Sequence, residues 1–218
     1  MKNTLVLDML VNGQINELKD LLTDEIYQDS LKKTYGAKER YAAMKRYFKY
    51  VDKFRPACSY PCEGVELNDM TYNCFLDGYS LALTTESIGT IKPYNTEEYG
   101  PYFKVDSIVN FNSFPEVCRV DLNKVLAEAK SKGYKFKKSE TTSDFRFMLR
   151  FKDGKYKMSL LDRAFGIVND GDISEVYYKN NISPLLIKTS IGIALILPMR
   201  SDNDGGYEKI FADEMIVQ

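Results

Sequence analysis

The sequence contains no histidine among its 218 residues. Histidine is the commonest general base and the commonest metal ligand, so its absence excludes Ser-His, Cys-His and histidine–metal mechanisms together. No Gly-rich phosphate loop or nucleophile elbow is present either. A carboxylate enzyme that binds magnesium is the remaining catalytic alternative. Its candidate acids mostly stand beside glycine in turns, where Asp is favoured for local hydrogen bonding; they are Asp77, Asp153, Asp162, Asp170 and Asp172.

Cysteine is scarce, and its spacing argues against a zinc site. Cys58 and Cys62 are separated by three residues, while Cys74 and Cys118 lie far downstream. Paired Cys-x-x-Cys modules, which specify zinc, are missing. We interpret the four cysteines as reduced, partly buried side chains. We therefore expect no catalytic residue, no cofactor and no metal.

Long apolar runs and a strong net charge are also lacking. No run approaches the roughly 18 uncharged apolar residues of a membrane span, and the early Asp8 makes the start of the chain a poor secretory signal. These features predict a cytoplasmic protein with no membrane partner. The formal net charge of −1 argues against a wholly basic nucleic-acid-binding protein but leaves room for local basic patches.

The segment from Gly154 to Arg200 has the clearest pattern in the chain. Tyr156 and Met158 begin a short strand, and apolar residues from Leu160 to Val168 then recur at helical spacing. Three strands follow, each rich in β-branched or aromatic residues and joined by short polar or Gly-containing connections. They are Ile173 to Tyr178, Pro184 to Thr189 and Ile193 to Leu197. The unit is a strand, a helix and a three-stranded antiparallel meander.

An earlier segment repeats the helix and the meander. The pattern predicts an amphipathic helix over Lys38 to Arg55, followed by strands at Gly64 to Leu67, Thr71 to Leu76 and Ser80 to Thr84. Packed side by side, the two units would place both helices on one face of an antiparallel sheet. The predicted fold class is therefore α+β.

The remaining segments give weaker signals. Residues 89–113 are typical of a loop with one strand at Ser107 to Asn110. Asp121 can cap a helix that runs from Leu122 to Gly133, and Phe145 to Phe151 alternates as a half-exposed strand does. The predicted division of the chain has three parts. Residues 1–36 form a helical N-terminal extension that is broken at Asn12-Gly13, and residues 37–200 form a domain with an inserted basic segment around 87–153. Residues 201–218 form an acidic tail that ends in one more strand or docks on a neighbour.

Basic residues concentrate in two zones. Residues 38–55 carry seven Lys or Arg against two acids, and residues 124–157 carry eleven against four. A basic helix can align ammonium and guanidinium groups against phosphates, although a solvated helix face is the usual reason for such a run. The candidate DNA-contact residues are Lys38, Arg40, Lys45, Arg46, Lys49, Lys53, Arg55, Lys124, Lys130 and Lys132.

Two stretches resemble a known family. The stretch SPLLIKTSIGIALILPMR resembles the closing half-domain of bacterial sliding clamps, the DNA polymerase III beta subunit, where a Pro-Leu-hydrophobic strand precedes a Gly turn and an apolar strand ending in Pro-Met-Arg or Pro-Val-Arg. The stretch GVELNDMTYNCFLDGYSLALTTE resembles the clamp segment in which a Gly-Val strand precedes an Asp-Gly-x-x-Leu-Ala element. The resemblance implies a DNA-clamp-like domain built from the two helix-plus-meander units.

The same resemblance implies a function without chemistry. A sliding clamp encircles duplex DNA with basic helices and offers an apolar groove to short peptides of replication or repair proteins. The corresponding groove residues here would be Leu186, Leu197, Pro198, Met199 and Arg200, although simple core packing is the alternative for Leu186 and Leu197. A clamp protomer has three repeats of the domain and this chain has room for one, so a ring would need a larger homo-oligomer. A phage or mobile-element relative that lost ring formation fits this length, and a protein-interaction module without DNA binding is the alternative.

Overall fold

The computed structural model describes residues 2–54, 60–102, 104–135, 146–200 and 206–217, with side chains for all of these except residues 2–4 and 52–54. The chain divides into two compact units, Met1–Lys38 and Glu39–Gln218. None of the described helices is long and apolar enough to cross a membrane.

The first unit consists of two helices, α1 (Lys2–Val11) and α2 (Ile15–Leu31). Gly13, at a φ of 70°, makes the break between them that Asn12-Gly13 predicted. Leu18 and Leu31 are buried, but many apolar side chains of both helices remain exposed. These are Leu5, Leu7, Leu10, Val11, Ile15, Leu22 and Ile26.

The second unit opens with the predicted helix and meander. The helix α3 (Ala37–Phe54) leads to the strands β1 (Cys62–Leu67), β2 (Met70–Leu76) and β3 (Ser80–Thr84). The predicted strand at Ser107 to Asn110 is wrong: a short helix α4 (Thr96–Tyr99) and single 3-10 turns at Val105–Ser107 and Phe111–Ser113 occupy that connection. Val105, in the first of these turns, and Val109, shortly after it, are both buried in an apolar cluster.

A strand, a helix and a second strand follow before the closing meander. These are β4 (Glu116–Val120), α5 (Leu122–Ser131) and β5 (Phe147–Phe151). Asp121 caps α5 as predicted, because its side chain accepts a hydrogen bond from the backbone N–H of Lys124. The strand β5 is almost wholly buried rather than half-exposed, because it is the central strand of a small sheet and α6, described next, packs on it.

The closing unit contains the predicted elements. They are β6 (Gly154–Lys157), α6 (Met158–Val168), β7 (Ser174–Tyr178), β8 (Leu185–Lys188) and β9 (Gly192–Ile196). The chain then returns as β10 (Glu208–Phe211), which pairs in parallel with β5. Part of the predicted acidic tail is therefore an integral strand of the three-stranded sheet β10-β5-β6.

The two meanders join into one continuous sheet. Its strand order is β1-β2-β3-β9-β8-β7-β4, and every neighbouring pair is antiparallel. The junction is the pairing of β3 with β9, in which Ala82 lies opposite Ala194. The α+β class and the side-by-side packing of the two units are thus as predicted.

Helices α3 and α6 pack on the same face of this sheet. The helix α6 contacts β3 and β9, and Tyr47 of α3 meets Phe75 of β2 edge to face at 5.7 Å between ring centroids. The opposite face carries a second apolar cluster, which is covered by the connection that contains Val105 and Val109. Ten of the eleven residues of α6 are buried, so only α3 of this helix pair is left to present a polar face to solvent.

Candidate nucleic-acid interface

The helix α3 presents two lysines on its exposed side. Its buried stripe contains Tyr41, Met44 and Tyr47, while Lys45 and Lys49 are exposed one helical turn apart. The ammonium of Lys45 also lies 5.2 Å from the centre of the Tyr41 ring, a cation–π contact that holds the stem of the lysine against the helix. Within the part of α3 that belongs to the second unit and has described side chains, Lys45 and Lys49 are the exposed cations.

Arg40 is a correction to the predicted DNA-contact set. Its side chain is 3% exposed, because Arg40 falls on the buried stripe of α3. The guanidinium is paired with the carboxylate of Glu86 and donates a hydrogen bond to the backbone oxygen of Asn169 at 3.1 Å. A guanidinium engaged in this way cannot reach a phosphate, and Arg40 instead ties α3 to the ends of β3 and α6.

Two further predicted residues, Arg46 and Lys130, influence the ionisation of one buried carboxylate. Burial raises the pKa of Asp162 above its usual value, and the charges of Lys130 and Arg46 oppose this rise. Tyr134 donates a hydrogen bond to Asp162 at 3.2 Å, which also favours the ionised form. Arg46 belongs to α3 and Lys130 to α5, so one cation from each basic zone acts on the charge of Asp162. We call Lys45, Arg46, Lys49 and Lys130 the basic surface.

The other predicted cations lie elsewhere or are paired with acids. Lys124 pairs with Asp121 at 3.2 Å, and Lys132 pairs with Glu128 at 2.8 Å and with Glu208 at 3.5 Å. These acids offset the positive charge of α5 at both of its ends. Lys38 is exposed but belongs to the first compact unit. The side chain of Lys53 and the whole of Arg55 lie outside the described residues.

A buried ion pair fixes the turn beneath α3. Asp77 lies between β2 and β3, and its carboxylate accepts hydrogen bonds from the backbone N–H groups of Tyr79 and Ser80. Nε of Arg163, on α6, lies 3.3 Å from Oδ2 of Asp77, and the guanidinium carbon lies 3.7 Å from the centre of the Tyr50 ring of α3. Burial lowers the pKa of Arg163, but Asp77 and Tyr50 raise it more, so the guanidinium stays charged.

Sequence reasoning missed this pair as a unit. The sequence places Asp77 among the turn acids that could bind magnesium, and Arg163 follows Asp162 within a mostly apolar helix. A charged residue at a core-facing position is the one available signal, because buried charges in proteins are normally paired. The partner could not be identified, since 86 positions in the sequence separate the two residues.

The predicted partner-binding residues fall into two groups. Leu186 is fully buried and Leu197 is half-buried in the second apolar cluster, so packing rather than partner contact explains both. Leu186 is therefore withdrawn from the predicted groove. Pro198 and Met199 are half-buried and Arg200 is exposed, which leaves these side chains accessible at the end of β9. The backbone N–H of Met199 donates to the oxygen of Lys155 at 2.7 Å, so this edge is held against β6. We call Pro198, Met199 and Arg200 the β9 edge.

Metal ligands do not cluster in the part of the chain that the structure describes: no group of three or more Cys, Asp or Glu side chains there could hold an ion. Cys62, Cys74 and Cys118 are free thiols.

No protein-family model, curated protein or solved structure matches this chain.

Proposed function

We propose that this protein is a non-catalytic, clamp-like protein that binds duplex DNA without sequence preference and docks replication or repair proteins. The observation that carries the proposal is the exposed lysine pair of α3, on the helix-covered side of one continuous sheet built from two helix-plus-meander units. The resemblance of both meanders to sliding-clamp segments supports the same reading.

The spacing of the lysine pair suits a phosphate backbone. Lys45 and Lys49 are separated by about 6 Å of helix rise, which is close to the roughly 7 Å of axial rise that two nucleotides of one DNA strand span. Arg46 and Lys130 extend the basic surface, but Asp162 partly offsets their charge. Lys45 and Lys49 therefore make the largest contribution to DNA binding.

The β9 edge supports the second half of the proposal. Pro198 and Met199 present partly exposed apolar side chains on a backbone that is fixed by pairing with β6. Methionine adapts its shape to different apolar ligands, and Arg200 can pair with an acidic residue of a bound peptide. We therefore place a short apolar peptide of a replication or repair protein at this edge.

Duplex-DNA binding at several salt concentrations is the decisive experiment. Two phosphate contacts give a slope of about −1.8 for log affinity against log salt, which is a roughly twelvefold loss of affinity between about 50 and 200 mM salt. The double charge reversal Lys45→Glu with Lys49→Glu should remove this dependence and most of the binding. Fluorescence anisotropy of a labelled duplex measures both quantities.

A matched control is available on the same chain. Lys104→Glu with Lys179→Glu makes the same change in net charge at two exposed lysines outside α3. Both double variants should keep the circular dichroism spectrum and the melting temperature of the unaltered protein. Equal loss of binding in the two variants would show a response to net charge alone and would overturn the assignment to α3.

The mass of the protein in solution tests the ring. Light scattering on the unaltered chain, with and without DNA, distinguishes a monomer from a closed oligomer. A ring-sized oligomer with salt-sensitive binding supports a DNA tracker, while a monomer that binds DNA supports an open clip. A chain that does not bind DNA at low salt contradicts the proposal.

A protein-interaction module is the second candidate, and one observation favours it. In the first unit, Leu7, Val11, Ile15 and Ile26 are each more than 60% exposed, which is unusual for large apolar side chains so close together. Substituting Ile15 and Ile26 by glutamine should leave DNA binding unchanged under the first proposal. The second candidate would be favoured if the unaltered protein does not bind DNA but associates with itself, and if the variant no longer associates.

A further inference from the structure

Two cysteines lie directly opposite each other at the edge of the seven-stranded sheet. Cys62 of β1 and Cys74 of β2 are register partners in the antiparallel pair. The Cα atoms of directly opposed residues are about 4.5 to 5.5 Å apart, which lies within the range of about 4.4 to 6.8 Å that disulfides span. Backbone separation therefore permits a bond between the two sulfurs.

The two side chains also point to the same side of the sheet. Cys74 belongs to the second apolar cluster, and Cys62 packs against that cluster. Burial raises the pKa of the Cys74 thiol, and the nearby Cys62 thiol adds to this rise. The hydroxyl of Tyr102 lies 3.5 Å from the backbone oxygen of Cys74 and 3.6 Å from its sulfur and can donate a hydrogen bond to either atom.

The backbone beside Cys62 can adapt when the two sulfur atoms approach to bonding distance. The register shifts by a β-bulge between Cys62 and Val65, and Gly64 within the bulge has a φ of 71°. A bulge leaves residues unpaired and bends its strand. A small movement of Cys62 towards Cys74 therefore breaks little of the ladder.

We propose that Cys62 and Cys74 form a redox site that hydrogen peroxide closes to an intrachain disulfide. The Cys62 thiolate attacks one peroxide oxygen, the O–O bond breaks, and Cys62 becomes a sulfenic acid as hydroxide leaves and takes up the thiol proton as water. The sulfur of Cys74 then attacks that of Cys62, the S–O bond breaks, and a second water leaves. Two thiols thus lose two electrons and two protons to one peroxide.

Cys62 is the residue that meets the oxidant first. It is half-buried, whereas Cys74 is fully buried. Burial raises the pKa of the Cys62 thiol, so only a small fraction is thiolate at neutral pH and oxidation is slow. The bond would tie the outermost strand of the sheet to its neighbour, and amide hydrogen exchange in β1 should slow on oxidation.

Cys118 provides a matched control. It is also half-buried, but it lies on β4 opposite Val176, at the other edge of the sheet. Five strand spacings separate β2 from β4, which is about 24 Å. Cys118 cannot bond to Cys62 or Cys74 within one chain.

Mass spectrometry of the full chain tests the site. The reduced protein is treated with hydrogen peroxide, unfolded, blocked with N-ethylmaleimide and cleaved after Lys53, Glu66 and Lys104, none of which precedes a proline; this separates Cys58 and Cys62 from Cys74. We expect a loss of about 2 Da, the mass of the two thiol hydrogens, in a joined pair of peptides. The bond should persist in Cys58→Ser and Cys118→Ser and be lost in Cys62→Ser.

Three outcomes would overturn the inference. These are a disulfide between Cys58 and Cys62, a disulfide between two chains, and complete reaction of both Cys62 and Cys74 with N-ethylmaleimide after peroxide treatment. On the unaltered chain, fragmentation of the joined peptides locates the N-ethylmaleimide group on Cys58, so the assignment to Cys62 holds even where a serine variant does not fold. The site does not depend on DNA binding, and the oxidised and reduced forms are compared in the absence of DNA.

Discussion

The buried charges of Asp77 and Arg163 should be strongly coupled, so that removing both costs less than the sum of the two single removals. Their side chains are 2% and 3% exposed, so removing one partner leaves a buried charge without its counter-ion. Such a loss costs about 3 to 5 kcal/mol. We expect Arg163→Met at the lower end of this range, because Asp77 still accepts hydrogen bonds from the backbone of Tyr79 and Ser80.

The double variant separates pairing from simple damage. Asp77→Asn keeps an oxygen for the two backbone N–H groups but leaves the Arg163 charge unpaired, at a cost of about 4 kcal/mol. With both changes no buried charge remains, so the total should fall short of the sum by about 2 to 3 kcal/mol. Urea denaturation followed by circular dichroism gives the free energy of unfolding of each variant. Costs that add within about 0.5 kcal/mol would refute the argument that the two charges stabilise each other.

Three further predictions concern stability. Burial raises the pKa of Asp162 in the folded state, so the protein loses stability as pH rises above the pKa that Asp162 has in the unfolded chain. Asp162→Asn should therefore stabilise the protein at pH 7, and this stabilisation should vanish at low pH. Urea denaturation repeated at several pH values measures both. In Gly192→Ala the new Cβ would clash with the backbone oxygen of Leu83, 2.1 Å away, and this should cost about 2 kcal/mol or more. In Gly166→Ala the new Cβ would lie 3.4 Å from the Cβ of Ala43, so this change should be neutral or stabilising. Thermal melting measures both effects. Arg40→Ala should cost about 3 kcal/mol because it breaks a buried pair, whereas exposed Lys45→Ala should weaken DNA binding without lowering the melting temperature.

The helices and meanders could be predicted because each has a local pattern. The apolar period from Leu160 to Val168 predicts α6, and runs of β-branched and aromatic residues predict the strands on both sides of the sheet junction. The structure moves the start of α6 only two residues earlier, to Met158. The repeated order of elements also predicts one sheet with both helices on one face.

Burial of charge could not be predicted in the same way. Arg40 lies four and seven residues before Met44 and Tyr47, so it shares their stripe on α3, but its partner Glu86 is supplied by a distant turn. Basic residues counted along a helix therefore overstate the charge that faces solvent. The parallel pairing of β10 with β5 has no local turn signal either, because a parallel pair is never joined by a tight hairpin.

The junction of β3 with β9 has a consequence for the order of folding during synthesis. Ala82 is made about 110 residues before its partner Ala194, which is an interval of roughly 5 to 20 s at typical rates of translation. Throughout that interval β3, whose five residues are all buried in the finished protein, lacks β9 as its pairing partner. The nascent chain is therefore most exposed to mispairing with a neighbouring chain before β9 leaves the ribosome.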